Sequence, residues 1–271
     1  MWRRSIRILT HNALWLARLL DKFDPSWIGY FDISHHVEQR VPVKTIIAAT
    51  KLLRDRALNH HVKYLGRPED FSLIDDCIPR IEDAGSGVSL TIQSGRTTDD
   101  RRLPEQYTAE ECIWLLERMR LRCHAIQVFG GLRLEGHRCK AGAELVMWNR
   151  LGAGRLELWP CCHGQKKPIQ LEDTVFGGNT RQDTPCPLPR CSGYTYFAFG
   201  TNFVDDEVHD FGGLMLGPKP PIGLAAALEY FDHLEGSGYT FLLEDLLHRV
   251  RSAARGRRAE AGPVTSARLN V

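Results

Sequence analysis

The sequence predicts an α+β fold in which an antiparallel or mixed central sheet is flanked by N- and C-terminal helices. Three observations lead to this prediction. Apolar residues recur at helical spacing near both ends of the chain, apolar and polar residues alternate in the middle, and one alternating segment resembles a hairpin. Hairpins join antiparallel strands, whereas parallel strands need long crossover connections.

The first predicted element is an amphipathic helix over residues 3–23, with arginines and a lysine beside its apolar stripe. We expect this helix to dock on the protein with its basic side chains in solvent. Binding to a membrane surface or to an acidic partner is the alternative. Charged residues interrupt the segment and no small-residue cleavage site follows it, so we interpret it as part of a cytoplasmic protein and not as a secretion signal.

The elements that follow are predicted from periodicity. Residues 27–37 and 87–95 are typical of strands, and residues 43–58 place apolar side chains on one helical face. Thr108 and Glu111 have the spacing of a capping box, which predicts the start of a further helix. Two cysteines of that region, Cys112 and Cys123, share its apolar stripe, and we expect both thiols to be buried.

The second half of the chain is predicted to change from strands back to helices. Residues 124–136 indicate a strand, a bend and a strand, and residues 143–160 a hairpin. An aromatic-rich strand is predicted over 193–201. Residues 222–234 and 239–250 have helical spacing.

One α+β domain over residues 1–250 is the predicted organisation, with 94–107 as the best place for a subdivision. From Arg251 to the end of the sequence, large apolar residues are almost missing, which predicts a flexible basic tail over 251–271.

The composition favours no particular kind of ligand. The net charge is +2, so charge does not indicate nucleic acid. The sequence has neither a glycine-rich phosphate-binding loop nor a GxSxG motif, which argues against ATP-dependent enzymes, Rossmann dehydrogenases and α/β-hydrolases. Two histidine pairs, His35–His36 and His60–His61, lack the order and spacing of an HD-type metal hydrolase.

The irregular segment over residues 160–192 is rich in cysteine, glycine and proline. Long irregular loops in compact folds are usually functional or cross-linked, and a zinc ion would offset the entropy of closing this one. Zinc prefers about four thiolate or imidazole ligands, and adjacent cysteines do not easily bind one ion together. The candidates for a structural zinc site are Cys161, Cys162, His163, Cys186 and Cys191; unliganded thiols and a disulfide are the alternatives.

The stretch VFGGNTRQDTPCPLPRCSGYTYFAFG resembles the cysteine motif of the NlpC/P60 peptidases. In that family a glycine pair after an aromatic residue precedes a Cys-Ser-Gly-aromatic stretch. The resemblance implies that Cys191 is a nucleophile that attacks a peptide carbonyl, with a histidine on a following strand as its base. His209 is the candidate for that base. The matching residues are Phe176, Gly177, Gly178, Cys191, Ser192, Gly193 and Tyr194.

The leading hypothesis is a non-enzymatic intracellular protein whose sheet face or terminal helices bind another macromolecule. A zinc-stabilised loop would hold its shape. A cysteine-dependent hydrolase with Cys191 and His209 is the main alternative, and a structural or assembly subunit is the third. A protein partner or self-association fits these hypotheses, whereas the sequence gives no support for nucleic acid.

Overall fold

The fold is seen in a computed structural model, which describes residues 6–10, 13–22, 24, 28–133, 135–136, 147–151, 155–159 and 216–260. Both helices and strands are present, as predicted. None of the helices in these ranges combines the length and the apolar composition that crossing a membrane requires.

The central element is a four-stranded sheet whose strands are all parallel and lie side by side in chain order. The prediction of an antiparallel or mixed central sheet is therefore wrong. The hairpin signal that suggested it comes from a separate two-stranded ribbon, β8–β9, later in the chain. The strands of the sheet are β1 (Ile6–Thr10), β2 (Ile28–Ser34), β3 (His60–Gly66) and β4 (Gly87–Ile92).

Each successive pair of these strands is joined through a helix, which supplies the crossover that parallel pairing needs. The single helix predicted over residues 3–23 is wrong, because its first part is strand β1. The apolar residues Leu16, Leu19 and Leu20 of the shorter helix are buried in the core, so they are not available to a membrane surface. The connecting helices are α1 (Ala13–Leu20), α2 (Val43–Asp55) and α3 (Phe71–Asp83).

One face of the sheet is apolar and packs against helices. The side chains of Ile33, Val62 and Leu90 alternate onto this face and are fully buried. Tyr64 lies on the same face, where its hydroxyl group is 2.9 Å from Nδ1 of His35 and also hydrogen-bonds with Cys77 of α3. These contacts place α3 on the apolar face.

The remaining described elements cover the carboxyl-terminal part of the chain. For the strand, bend and strand predicted over residues 124–136, helix α5 replaces the first strand, whereas the second contains the short strand β7. The hairpin over 143–160 is confirmed as the antiparallel pair β8–β9. Helix α7 continues to Glu260, although the predicted tail began at Arg251. The elements are β5 (Gly95–Arg96), β6 (Arg102–Leu103), α4 (Ala109–Arg118), α5 (Arg122–Val128), β7 (Leu132–Arg133), β8 (Met147–Leu151), β9 (Arg155–Trp159), α6 (Leu224–Gly236), β10 (Thr240–Phe241) and α7 (Glu244–Glu260).

Helices α4 to α7 extend the same core. Phe129, Phe231 and Phe241 meet edge to face, with ring centroids 5.0–5.9 Å apart. The buried apolar side chains of these helices and of the parallel sheet form one continuous cluster. The helix packing that covers the sheet thus extends into α7 as far as Ala254.

The predicted capping box is present at the start of α4. The Thr108 hydroxyl accepts a hydrogen bond from the Glu111 amide at 3.1 Å, and the Glu111 carboxylate accepts one from the Thr108 amide at 2.8 Å. We expect Thr108→Ala to lower the free energy of unfolding by about 1 kcal/mol, because it leaves a helix amide without its acceptor. Urea unfolding measures the change, and Thr108→Ser is the matched control that keeps the hydroxyl. Equal stabilities for the alanine and serine variants would contradict this account of the cap.

Candidate functional site

The second face of the parallel sheet carries ionisable side chains. Asp32 of β2 is paired in register with His61 of β3, and both point away from the apolar face. Nε2 of His61 lies 3.4 Å from Oδ1 of Asp32, and each side chain is only 1% exposed. An acid and an imidazole therefore meet inside the protein at the centre of the sheet.

A second row of polar residues crosses the sheet one step closer to the carboxyl ends of the strands. The register aligns Ser34 of β2, Lys63 of β3 and Ser89 of β4. Ser34 and Lys63 are half-buried, whereas Ser89 is 1% exposed. The Ser89 hydroxyl makes no hydrogen bond to the residues that the structure describes. Two of the three side chains in this row thus keep part of their surface exposed.

Helix α5 contributes His124 to the same face. Its ring donates a hydrogen bond to the Leu90 carbonyl, and burial lowers the pKa of His124 to about 3, helped by the nearby positive charge of Lys63 and by His61. His124 is therefore a neutral imidazole at physiological pH. We call Asp32, His61, Lys63, Ser89 and His124 the polar cluster.

The polar cluster is unusual for a parallel sheet. Strands of such sheets are normally buried on both faces and rich in aliphatic residues, as they are here on the face of Ile33 and Val62. Removing a carboxylate or an imidazolium from water is costly unless other polar groups compensate. Groups retained at that cost concentrate at catalytic and binding sites, which makes the polar cluster the candidate site.

The chemistry available to the cluster is proton transfer combined with charge stabilisation. A carboxylate beside an imidazole orients the ring and stabilises its protonated form, which makes the histidine a better base. The Lys63 ammonium can stabilise negative charge that develops on a bound molecule. Within the described residues, no three histidine, cysteine or acidic side chains lie close enough together to hold a metal ion.

The site residues predicted from the sequence lie outside the described ranges. This applies to the zinc candidates Cys161, Cys162, His163, Cys186 and Cys191 and to the catalytic pair Cys191 and His209. Both predictions therefore stay predictions. By contrast, the expected burial of Cys112 and Cys123 is confirmed, and neither forms a disulfide with a described residue.

Sequence reasoning did not find the polar cluster, although a signal for it exists. In β2, β3 and β4 the residues that alternate with the apolar ones are Asp32 and Ser34, His61 and Lys63, and Ser89. Such alternation normally indicates a strand with one face in solvent. The pairing register of β2, β3 and β4 places these residues on one face, and that face is covered by the rest of the protein. Without the register, the same alternation fits a strand whose polar face is hydrated.

Comparisons of the chain with protein-family models, with curated proteins and with solved structures found no match.

Burial of neutral histidines predicts that acid weakens the fold. The pKa values of His35, His60 and His124 are all lowered, in each case chiefly by burial, so below their unfolded value of about 6.5 the unfolded chain binds protons that the folded chain does not. Stability that is fully present above pH 6.5 is lost as the pH falls, by about 1.4 kcal/mol per pH unit for each buried histidine until its folded pKa is reached. We expect His124→Gln, which keeps an amide donor, to reduce this slope in urea unfolding between pH 7 and pH 5. An unchanged slope would show that His124 takes up protons equally in the folded and unfolded states, which would contradict the lowered pKa.

Proposed function

We propose that this chain is an enzyme that binds a small molecule at the polar cluster and transfers a proton through the Asp32–His61 pair. The observation that carries the proposal is the 3.4 Å approach of these two side chains at a site from which water is almost excluded. A protein that only needed a stable sheet would place aliphatic residues there, because burying ionisable groups costs free energy.

The strand order supports a ligand site at this position. In sheets of parallel strands with connecting helices, ligands bind at the carboxyl ends of the strands, and this holds both for open sheets and for (β/α) barrels. Ser34 is the last residue of β2, and Lys63 is the middle residue of β3, so on these two strands the partly exposed residues of the row lie at or before the carboxyl end.

The residues have distinct roles in this proposal. His61 accepts a proton from the bound molecule, and Asp32 holds the imidazole in position and stabilises the imidazolium that forms. Lys63 stabilises the negative charge left on the substrate. His124 supplies a neutral polar group at the same face, since its lowered pKa prevents it from adding a second positive charge.

The proposal predicts that ligand binding depends on the buried pair. We expect a panel of small carboxylates, phosphate esters, amines and sugars, screened by affinity selection and mass spectrometry, to include compounds retained by the natural protein. Asp32→Asn and His61→Gln should reduce that retention at least about tenfold, because a polar contact with a charged group is worth about 1.5–3 kcal/mol. Asp55→Asn, on an exposed position of α2, is the control and should bind normally. Retention that is the same in all four proteins would contradict the proposal.

The zinc-stabilised loop is a separate proposal, and the β8–β9 hairpin supports it. Antiparallel pairing places Trp159 opposite Met147, so the chain leaves β9 at the end of the hairpin where it entered β8. Cys161, Cys162 and His163 follow Trp159 in the sequence after a single residue, Pro160. A hairpin end followed at once by soft donors is a suitable base for a structural metal centre, and the reducing cytoplasm predicted for this chain would keep the thiols available.

We expect the purified protein to contain about one equivalent of zinc and to gain reactive thiols after chelation. Elemental analysis for zinc and iron, with a thiol titration, is the measurement. Cys186→Ser and Cys191→Ser should lower the metal content, whereas Cys77→Ser, at a buried thiol of α3, should not. Iron with acid-labile sulfide would identify a cluster in place of zinc, and the absence of both metals would contradict the proposal.

Macromolecule binding is the second candidate function, favoured by a groove of about 940 Å³ that α6 and α7 line. Leu224 and Leu228 supply apolar surface, and Arg255 lies beside them. Arg251 also lines the groove, but it is held by Asp232 and Glu235 at 2.5 and 2.7 Å. A protein partner or a second copy of the chain would find apolar contacts here, in line with the expectation that the terminal helices bind a macromolecule.

A further inference from the structure

We propose that the molecule bound at the polar cluster carries a carboxylate or phosphate group, and that Ser34, Lys63 and Ser89 bind this oxyanion. The inference rests on the proposed function, because it assigns a ligand class to the same site. Its basis is the row of one ammonium and two hydroxyl groups on three adjacent strands. Neighbouring strands lie about 4.8 Å apart, so the three residues form a continuous row of donors across the sheet.

Ser89 is the strongest evidence for a ligand. Its side chain is 1% exposed, and its hydroxyl group makes no hydrogen bond to any described residue. Buried hydroxyl groups nearly always have a partner, since leaving one unsatisfied costs about 1–3 kcal/mol. The hydroxyl of Thr91, the next residue of β4 on this face, does have a partner, the Tyr64 carbonyl at 3.2 Å. A bound oxyanion beside Lys63 would provide the acceptor that Ser89 lacks.

The charge of the site favours an anion at this row. Lys63 stands at the centre of the row and is half-buried, so its attraction for an anion is less screened than that of a surface lysine. The carboxylate of Asp32 lies in the neighbouring row, where His61 separates it in register from β4. His124, although close to Lys63, is neutral and leaves the ammonium as the cationic donor.

The distance between the two rows restricts where the transferred proton lies in the substrate. Residues two positions apart on a strand are about 6.6 Å apart, which separates the Ser34–Lys63–Ser89 row from the Asp32–His61 row. When the oxyanion of a small molecule binds to the Ser34–Lys63–Ser89 row, the atom one or two bonds from that oxyanion lies within reach of His61. The proton that moves therefore lies next to the anionic group, as in the removal of a proton from the carbon beside a carboxylate. Lys63 then stabilises the added negative charge, and His61 carries the proton.

Titration calorimetry with inorganic phosphate and with acetate, at constant ionic strength and with chloride as the background anion, tests the inference. We expect one of the two probes to bind, and its identity distinguishes a phosphate ligand from a carboxylate. Lys63→Met should weaken binding at least about tenfold and Ser89→Ala about threefold to tenfold. Lys63→Arg, which keeps the charge, should retain most of the affinity, and Lys51→Met, at an exposed position on α2, should bind like the natural protein. Far-ultraviolet circular dichroism checks that each variant is folded.

The outcomes separate this inference from the proposed function. If neither probe binds, or if Lys63→Met and Ser89→Ala bind like the natural protein, the oxyanion site is wrong. If these two variants lose the probe while Asp32→Asn and His61→Gln leave panel binding unchanged, the anion site stands and the proton-transfer proposal fails. Loss of panel binding in the Asp32 and His61 variants, with probe binding equal in all lysine variants, would overturn the anion site alone.

Discussion

The contact between Asp32 and His61 sets conditions that the surrounding sheet has to meet. Two ionisable side chains that are each 1% exposed require polar neighbours, because water cannot solvate them. Lys63 from the adjoining row and His124 from α5 lie close enough to interact electrostatically, and His124 also interacts with His61 and Asp32. The lowered pKa of His124 is itself a result of this crowding, since burial and the Lys63 charge both disfavour its protonation. One buried pair thus accounts for the polar character of the whole face.

The opposite face of the sheet also contains buried polar side chains, which lie outside the candidate site. His35 and Tyr64 are buried there, yet Nε2 of His35 is 2.9 Å from the Val41 carbonyl and Nδ1 is 2.9 Å from the Tyr64 hydroxyl. Both nitrogen atoms of His35 have partners. His60 of β3 lies on the same face, where its Nδ1 is 2.8 Å from the Leu58 carbonyl, while its Nε2 makes no hydrogen bond to a described residue. The polar face differs in that its unsatisfied hydroxyl, that of Ser89, lies in register with a lysine, Lys63.

Local features of the sequence predicted local structure well. The capping box of Thr108 and Glu111 and the β8–β9 hairpin depend on residues close together in the chain, and both are confirmed. The segment around Ile6 and Leu9 fits helical as well as strand spacing, and the short apolar run at 124–128 is equally ambiguous, so both were assigned wrongly. Strand direction and the polar cluster depend on the register between distant segments. The periodicity of a single segment does not determine the register between distant strands. For this reason the sequence predicted a site at the cysteines and not at Asp32 and His61.

The strand order has a kinetic consequence. Every strand of the parallel sheet pairs with the strand that precedes or follows it in the chain, so no pairing has to wait for a remote segment. The entropy of closing a loop rises with its length, and chains dominated by near-neighbour contacts cross their folding barrier faster. We expect β2, β3 and β4, with the helices between them, to assemble early as one nucleus during synthesis. Asp32 and His61 would then already be aligned before the carboxyl-terminal helices leave the ribosome.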